Sequence, residues 1–209
     1  MQKDTIIYVT DQRQKYLADM LNGEKESCHG DKIRDYARVG NIIFPTPFSR
    51  LRLSDDEMEK LKQNIIKHDI AVWGGVMPEC FPGVDKGGDF MRDEQVIMEN
   101  AIVTAEAVIS IAVQKSLYSI ENSKVLVCGF GRCGRALAAR FKALGADVMV
   151  MARRKEVREA ARQQGYEAVG FDEAAKACFN TRILINTVPA QVIDENIIRL
   201  LLKDTLMID

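Results

Sequence analysis

The sequence predicts an α/β protein of two domains, the second a doubly wound parallel sheet, the first a smaller α/β unit, the two joined by a long helix. Three observations predict this. From Ser123 onward short β-rich runs alternate with helical patterns, the mark of β-α-β units with right-handed crossovers. A less regular version of the same alternation fills the stretch before residue 74. Between them an aperiodic segment leads into a long helical pattern from Asp93 to Leu117.

Along the chain, the first element is a strand, IIYV at 6–9, followed by a helix from Gln12 to Leu21. The stretch from there to Phe44 has no clear period. A helix from Ser54 to Ile66 comes next: Ser54 and Glu57 fit a capping box, and Met58, Leu61 and Ile65 make its apolar stripe. The strand IAVW at 70–73 closes this part. Residues 74–91 hold five glycines and two prolines, so they read as a long loop, and loops of that length are usually functional or mobile. In the Asp93–Leu117 helix, Ala101, Ala105, Val108, Ile109 and Ala112 form an apolar side, while Asn100, Thr104, Glu106 and Ser110 mix with Val103, Ala107 and Ile111 on the other. That pattern fits a spacer between domains with its mixed face toward a cleft, and equally a core helix with a solvated stripe. The expected organisation is an N-terminal substrate-side domain at 1–92, a connecting helix at 93–119 and a cofactor domain at 120–209.

In the second part, VLVCGF, VMVMA, EAVGF, RILINTV and TLMID read as strands. Leu137, Phe141 and Leu144 give the first intervening helix a stripe at i, i+4 and i+7. Gly165 sits where a helix C′ glycine belongs, and Asp194 is placed as an N-cap. Nothing follows TLMID, so the cofactor domain is expected to be incomplete at its C-terminus.

Composition narrows the function classes. Over 209 residues, 29 basic side chains nearly balance 30 acidic ones, so no net charge points to nucleic acid or to an anionic membrane. The sequence suggests no apolar run near the roughly 18 residues that span a bilayer and no signal-peptide core, and a cytoplasmic protein is expected. Five cysteines without a C-x-x-C pair argue against a disulfide framework or a metal site. Cys133, at a helix start, suits either a reactive thiol or a small side chain facing the sheet.

The segment Val125 to Arg154, VLVCGFGRCGRALAARFKALGADVMVMARR, carries most of the functional information. A bare G-x-G-x-x-G is weak, but here it follows a strand, opens a helix and precedes a second strand. Gly129 permits the tight turn, Gly131 lets backbone approach a pyrophosphate, and Gly134 allows helix and strand to pack closely. Phe130, Arg132 and Cys133 complete the turn. This is the Rossmann fingerprint of dinucleotide binding. An NAD site places Asp or Glu at the end of the second strand for the ribose 2′-OH; here Ala152 is followed by Arg153 and Arg154. Guanidinium groups suit a 2′-phosphate, each charge-assisted bond being worth about 1.5–3 kcal/mol. NADP(H) is therefore the expected cofactor and NAD(H) the alternative. Solvated helix-start charges are the plainer reading of the two arginines. Asn186, Thr187, Val188 and Pro189 end the fourth strand, where such sheets bind ligands, although a proline there also serves simply to end a strand.

The residues from Met91 to Pro189 resemble the A subunit of bacterial dipicolinate synthase. The similarity rests on Asn100-Ala101-Ile102-Val103-Thr104-Ala105-Glu106, the run Val125 to Gly134, Ala152-Arg153, and Asn186-Thr187-Val188-Pro189, with Asp11-Gln12-Arg13-Gln14 resembling the family's opening turn. Where the family commonly has proline before its Thr-x-Glu, this chain has Val103. The resemblance implies a two-domain, nicotinamide-dependent oxidoreductase that dehydrogenates a cyclic lysine-pathway precursor to pyridine-2,6-dicarboxylate, the dicarboxylate of the spore core. It also implies a flavoprotein-like second subunit, and domain pairs of this type often dimerise. A dianionic substrate calls for cations; by position Arg13 and Arg92 are candidates to bind it, and Thr104 or Glu106 to manage a proton.

Two other readings compete. A 2-hydroxyacid or amino-acid dehydrogenase is built on the same domain pair, but enzymes of the first kind use a histidine late in the cofactor domain, and the histidines here are His29 and His68. The other is a non-catalytic NADP-binding scaffold or sensor.

Overall fold

The computed structural model describes residues 3–22, 24–27, 33 and 35–209. It divides into two compact units, Met1–Ile97 and Met98–Asp209.

The first unit carries the strands β1 (Asp4–Val9), β2 (Glu24–Ser27), β3 (Val39–Ile43), β4 (Ala71–Gly74) and β5 (Gly88–Asp89). They form a sheet in the order β2-β1-β3-β4-β5, and every neighbouring pair is parallel. Two helices, α1 (Gln12–Met20) and α2 (Asp55–His68), connect its strands. The expected capping box at α2 is present: the Ser54 hydroxyl accepts from Glu57 N at 3.3 Å and the Glu57 carboxylate accepts from Ser54 N at 2.9 Å. Leu61 and Ile65 of its stripe are buried, packed with Ile42, Phe44 and Val72 in one core cluster. The aperiodic stretch before Phe44 holds β2 and β3. Their sequences, EKES and VGNII, show why no period marks them: one is wholly polar, the other interrupted by Gly and Asn. The 74–91 loop contains β5 and is tied together by Asp89, whose carboxylate accepts from Val76 N, Met77 N and Met91 N at 3.1, 2.9 and 2.8 Å.

The helix α3 (Glu94–Lys115) begins at the end of this unit, and most of it belongs to the second. There follow β6 (Lys124–Cys128), α4 (Arg132–Ala143), β7 (Asp147–Met151), α5 (Lys155–Gln163), β8 (Glu167–Val169), α6 (Ala174–Cys178), β9 (Thr181–Asn186), α7 (Glu195–Leu200) and β10 (Leu206–Ile208). The strands pair in the order β10-β9-β6-β7-β8, all parallel. This is a doubly wound sheet. The pleat sends Val125 and Val127 of β6 into one core cluster, with Phe141 of α4 and Ala105 of α3, and Leu126 and Cys128 into another, with Ala177 of α6 and Ile197 of α7. Both faces are covered, which is why β6 reads as an unbroken apolar run.

Two expectations are corrected here, for Leu144 and for the longest apolar run, while the apolar side of α3 is buried as expected. Leu144, placed in the α4 stripe, is the residue after the helix's last one and is 44% exposed; Ala138 is buried beside Leu137 and Phe141 instead. On α3, Ala101, Ala105 and Ala112 are buried with Val108 and Ile109 packed at their edge, but the opposite face leaves Val103, Ile111 and Val113 exposed at 59%, 43% and 66%. Contrary to the reading that no apolar run reaches bilayer-spanning length, α3 does so by length and composition, with 22 residues and a mean hydropathy of 1.8 over an 18-residue stretch. Ala105 and Ala112 nevertheless lie in a core cluster of the second unit.

Candidate functional site

The order of the second sheet fixes where a ligand fits. From β6 the chain winds one way to β7 and β8, then crosses back to β9 on the other side of β6. A crevice opens beyond the carboxyl ends of β6 and β9 at such a reversal, because the connections leave it in opposite directions. The β6–α4 turn and the residues after β9 flank this crevice.

Each glycine of the turn has a different physical reason. Gly129 adopts φ +92°, and a Cβ there would come within 2.7 Å of Thr187 Oγ1. At Gly134 a Cβ would collide with the Gly129 carbonyl oxygen and lie 3.0 Å from its carbon, so α4 packs directly on the turn. At Gly131 an added Cβ would meet nothing within 4 Å, so its openness favours a ligand rather than packing. Gly131 caps α4 without a side-chain hydrogen bond, leaving first-turn N–H groups toward the crevice. Thr187 joins the two sides: its hydroxyl and its N–H both donate to Cys128 O, at 2.8 and 3.0 Å. Burial pushes the Cys128 thiol up to about 12, which leaves it protonated and inert.

A cavity of about 630 Å³ opens on this edge. Gly129, Phe130, Gly131, Arg153, Arg154, Thr187, Val188 and Pro189, all singled out in the sequence, line it. Arg132, Cys133 and Gly134 belong to the first turn of α4 but do not line it. Asn186 turns away: its amide donates to Val188 O at 3.2 Å and to Asp209 at 2.6 Å, and it lines an adjacent cavity of about 620 Å³. The candidates for proton handling sit elsewhere. Thr104 spends its hydroxyl on Asn100 O at 2.8 Å, Glu106 is exposed on α3, and neither lines the cavity. Arg92 is exposed at the end of the turn after β5. Arg13 lies on α1, and its side chain is outside the described residues, as are Cys28 and His29. His68 stacks on Tyr36 with ring centroids 6.4 Å apart. Among the described residues no three His, Cys, Asp or Glu side chains gather into a metal site.

Electrostatically the cavity is one-sided. Arg135, Arg153 and Arg154 line it, and among the described residues no carboxylate does. Among the described residues, the Arg153 and Arg154 side chains make no hydrogen bond or ion pair, whereas the neighbouring Arg158 donates to Ala152 O at 2.9 Å and to Arg153 O at 2.6 Å. Reading the sequence alone missed Arg135 together with the apolar wall of Val157, Phe171 and Val192. Arg135 carried a usable signal, as the residue directly after the third glycine; the wall residues sit on separate elements that only the fold brings together.

Comparison with known proteins agrees with this geometry. Residues 99–200 match the family described as the D-isomer specific 2-hydroxyacid dehydrogenase, NAD binding domain, a dehydrogenase-type domain for a nicotinamide dinucleotide. The chain is 33% identical to the A subunit of dipicolinate synthase of Bacillus subtilis (strain 168) over 120 residues, 57% of this chain and 40% of that protein, so the match spans less than half of the relative's length. The crystal structure of the dipicolinate synthase A subunit from Bacillus halodurans shares the fold, with a TM-score of 0.76 at 24% identity over 100% of this chain and 82% of that one. A transhydrogenase from Sinorhizobium meliloti shares it more distantly, with a TM-score of 0.59 at 13% identity over 98% of this chain and 68% of that one. Residues 99–200 are thus similar to the NAD-binding domain of 2-hydroxyacid dehydrogenases, in a chain whose sequence and fold resemble the A subunit of dipicolinate synthase.

Proposed function

We propose that the chain is an NADP(H)-dependent oxidoreductase subunit that dehydrogenates a cyclic dihydro- or tetrahydrodipicolinate precursor to pyridine-2,6-dicarboxylate in the cytoplasm of a sporulating cell. The observation that carries the cofactor reading is the cavity wall: arginines at 135, 153 and 154 with no carboxylate among the described lining residues. A carboxylate at the end of β7 would accept from a ribose 2′-OH and repel a 2′-phosphate; unpaired guanidinium groups do the reverse. The nicotinamide supplies hydride acceptance when bound. The chain's own groups hold it: Gly131 and the first turn of α4 face the pyrophosphate, Arg153 and Arg154 the 2′-phosphate, and Thr187, Val188 and Pro189 the nicotinamide half. The substrate class is carried over from the similarity to the dipicolinate synthase A subunit, as is a flavoprotein-like second subunit. Arg13 and Arg92 remain the proposed dianion-binding residues, and Thr104 and Glu106 the proposed proton-handling ones. The exposed apolar face of α3, with Val103, Ile111 and Val113, supports a homodimer.

Calorimetric titration with NADPH and NADH, with Arg153→Ala beside the native chain, tests the cofactor reading. At least tenfold preference for NADPH, lost in the variant, is expected; equal affinity for both nucleotides would overturn it. A second reading, a non-catalytic NADP-binding subunit, is favoured by one observation: among the described residues no carboxylate, histidine, lysine or tyrosine that would move a proton lines the cavity. Turnover of a pyridine precursor by the chain alone would eliminate it.

A further inference from the structure

Arg135 has a geometry that the double arginine at 153 and 154 lacks. Its Nε donates to Phe130 O at 3.2 Å, and its guanidinium carbon lies 5.5 Å from the centroid of the Phe130 ring. Phe130 is itself immobilised, 3% exposed and packed edge-on against Tyr166 with centroids 5.6 Å apart. Arg135 is therefore held at its Nε and on one face by the glycine turn itself. Among the described residues its two Nη groups have no hydrogen-bond partner and no ion pair, although the residue lines the cavity. A long cationic side chain normally loses rotamer freedom when it grips a ligand. Here that ordering is already done, and the free edge of a planar fork is what recognises a phosphate through paired N–H donors.

Charge points to which phosphate. Three guanidinium groups share one cavity with no carboxylate among its described lining residues, so each raises the cost of the others until an anion arrives. The pyrophosphate already has the open Gly131 backbone and the start of α4, which no side chain caps. Arg153 and Arg154, which line the same cavity as Arg135, follow the second strand, where such a fold meets the adenosine ribose.

We propose that Arg135 is a third, pre-organised ligand of the ribose 2′-phosphate and sets the preference for the phosphorylated cofactor; this rests on the NADP(H) reading above. The ligand class is an adenosine nucleotide carrying a 2′-phosphate, for which adenosine 2′,5′-bisphosphate is the minimal probe and adenosine 5′-monophosphate its control.

The experiment titrates the native chain, Arg135→Met and Arg135→Lys with NADPH, NADH and the two adenosine probes, with a thermal melt of each protein. The methionine variant is expected to weaken NADPH and the bisphosphate at least tenfold while changing NADH and the monophosphate less than twofold. Lysine, which restores the charge without the fork, is expected to recover part of the loss. Equal losses for NADPH and NADH would assign Arg135 to the pyrophosphate and overturn the proposal, and so would unchanged NADPH binding. Should the native chain itself show no preference for NADPH, the cofactor reading falls first, and that result is visible before any variant is compared. If Arg135→Met does not fold, Arg135→Lys carries the test: a NADPH-to-NADH ratio equal to native overturns the proposal, and a reduced ratio sustains it.

Discussion

Alanine at two glycines of one turn should have opposite consequences. At Gly134 the added methyl carbon would collide with the Gly129 carbonyl oxygen, lie 3.0 Å from its carbon and 3.4 Å from Thr187 Oγ1. The first two are backbone atoms, so no side chain can rotate away; helix α4 or the turn must shift. Overpacking of this kind costs about 1–3 kcal/mol, offset by about 1 kcal/mol from alanine's helix preference, leaving a net loss of up to roughly 2 kcal/mol. At Gly131 a methyl meets nothing within 4 Å and φ is −75°, an ordinary value for any residue. Stability should therefore stay within about 0.5 kcal/mol of native. The methyl would instead occupy the space through which a pyrophosphate approaches the backbone. A tenfold or greater loss of nucleotide affinity is expected, equal to about 1.4 kcal/mol. Thermal or urea unfolding of both variants, paired with calorimetric titration of NADPH, separates the effects. The reasoning is refuted if Gly131→Ala destabilises the protein as much as Gly134→Ala, or if it binds nucleotide as the native chain does.

Arg158→Met removes the two hydrogen bonds that hold the Ala152 and Arg153 carbonyls; each is worth about 1.5–3 kcal/mol at most, and the expected outcome is a lower melting temperature with a smaller NADPH-to-NADH affinity ratio, measured by melt and titration. Ser54→Ala breaks the capping box of α2 and should cost about 0.5–2 kcal/mol in urea unfolding, with nucleotide binding to the second unit unchanged. The third prediction concerns pH. Tyr118 donates a hydroxyl hydrogen bond to Asp204, which also accepts from Arg182 at 3.1 Å. The bond to Asp204 raises the Tyr118 pKa above 10.0, and the same bond lowers that of Asp204 below 3.8. A raised tyrosine contributes stability below its unfolded value that is lost as pH rises through the folded one; a lowered aspartate contributes above its unfolded value and loses that on acidification. The stability gap between native and Tyr118→Phe should therefore be widest near neutrality and narrow above about pH 10 and below about pH 4; a gap that does not change with pH would contradict it.

The fold of the second unit was legible because its information is local. VLVC, the three glycines and the α4 stripe each dictate conformation within a few residues, and strands covered on both faces announce themselves as unbroken apolar runs. Asp194 was readable as an N-cap for the same reason, and its carboxylate does accept from Ile197 N at 2.9 Å. The first unit was less legible because β2 and β3 have little apolar pattern to read, and their positions follow from pairing with β1. Leu144 shows the limit of periodicity: it has the right spacing, but the helix ends before it.

By itself the sequence determined that a dinucleotide-type turn exists and that basic residues stand where an acid is usual, since both are properties of adjacent residues. Tertiary structure alone decided which residues share a wall. It turned Asn186 toward Asp209 and brought Phe171 and Val192 to the cavity. It also anchored Arg135 on Phe130. The physical reason is that such positions depend on strand order and on which backbone carbonyls are within reach of a side chain. Neither is encoded in spacing along the chain.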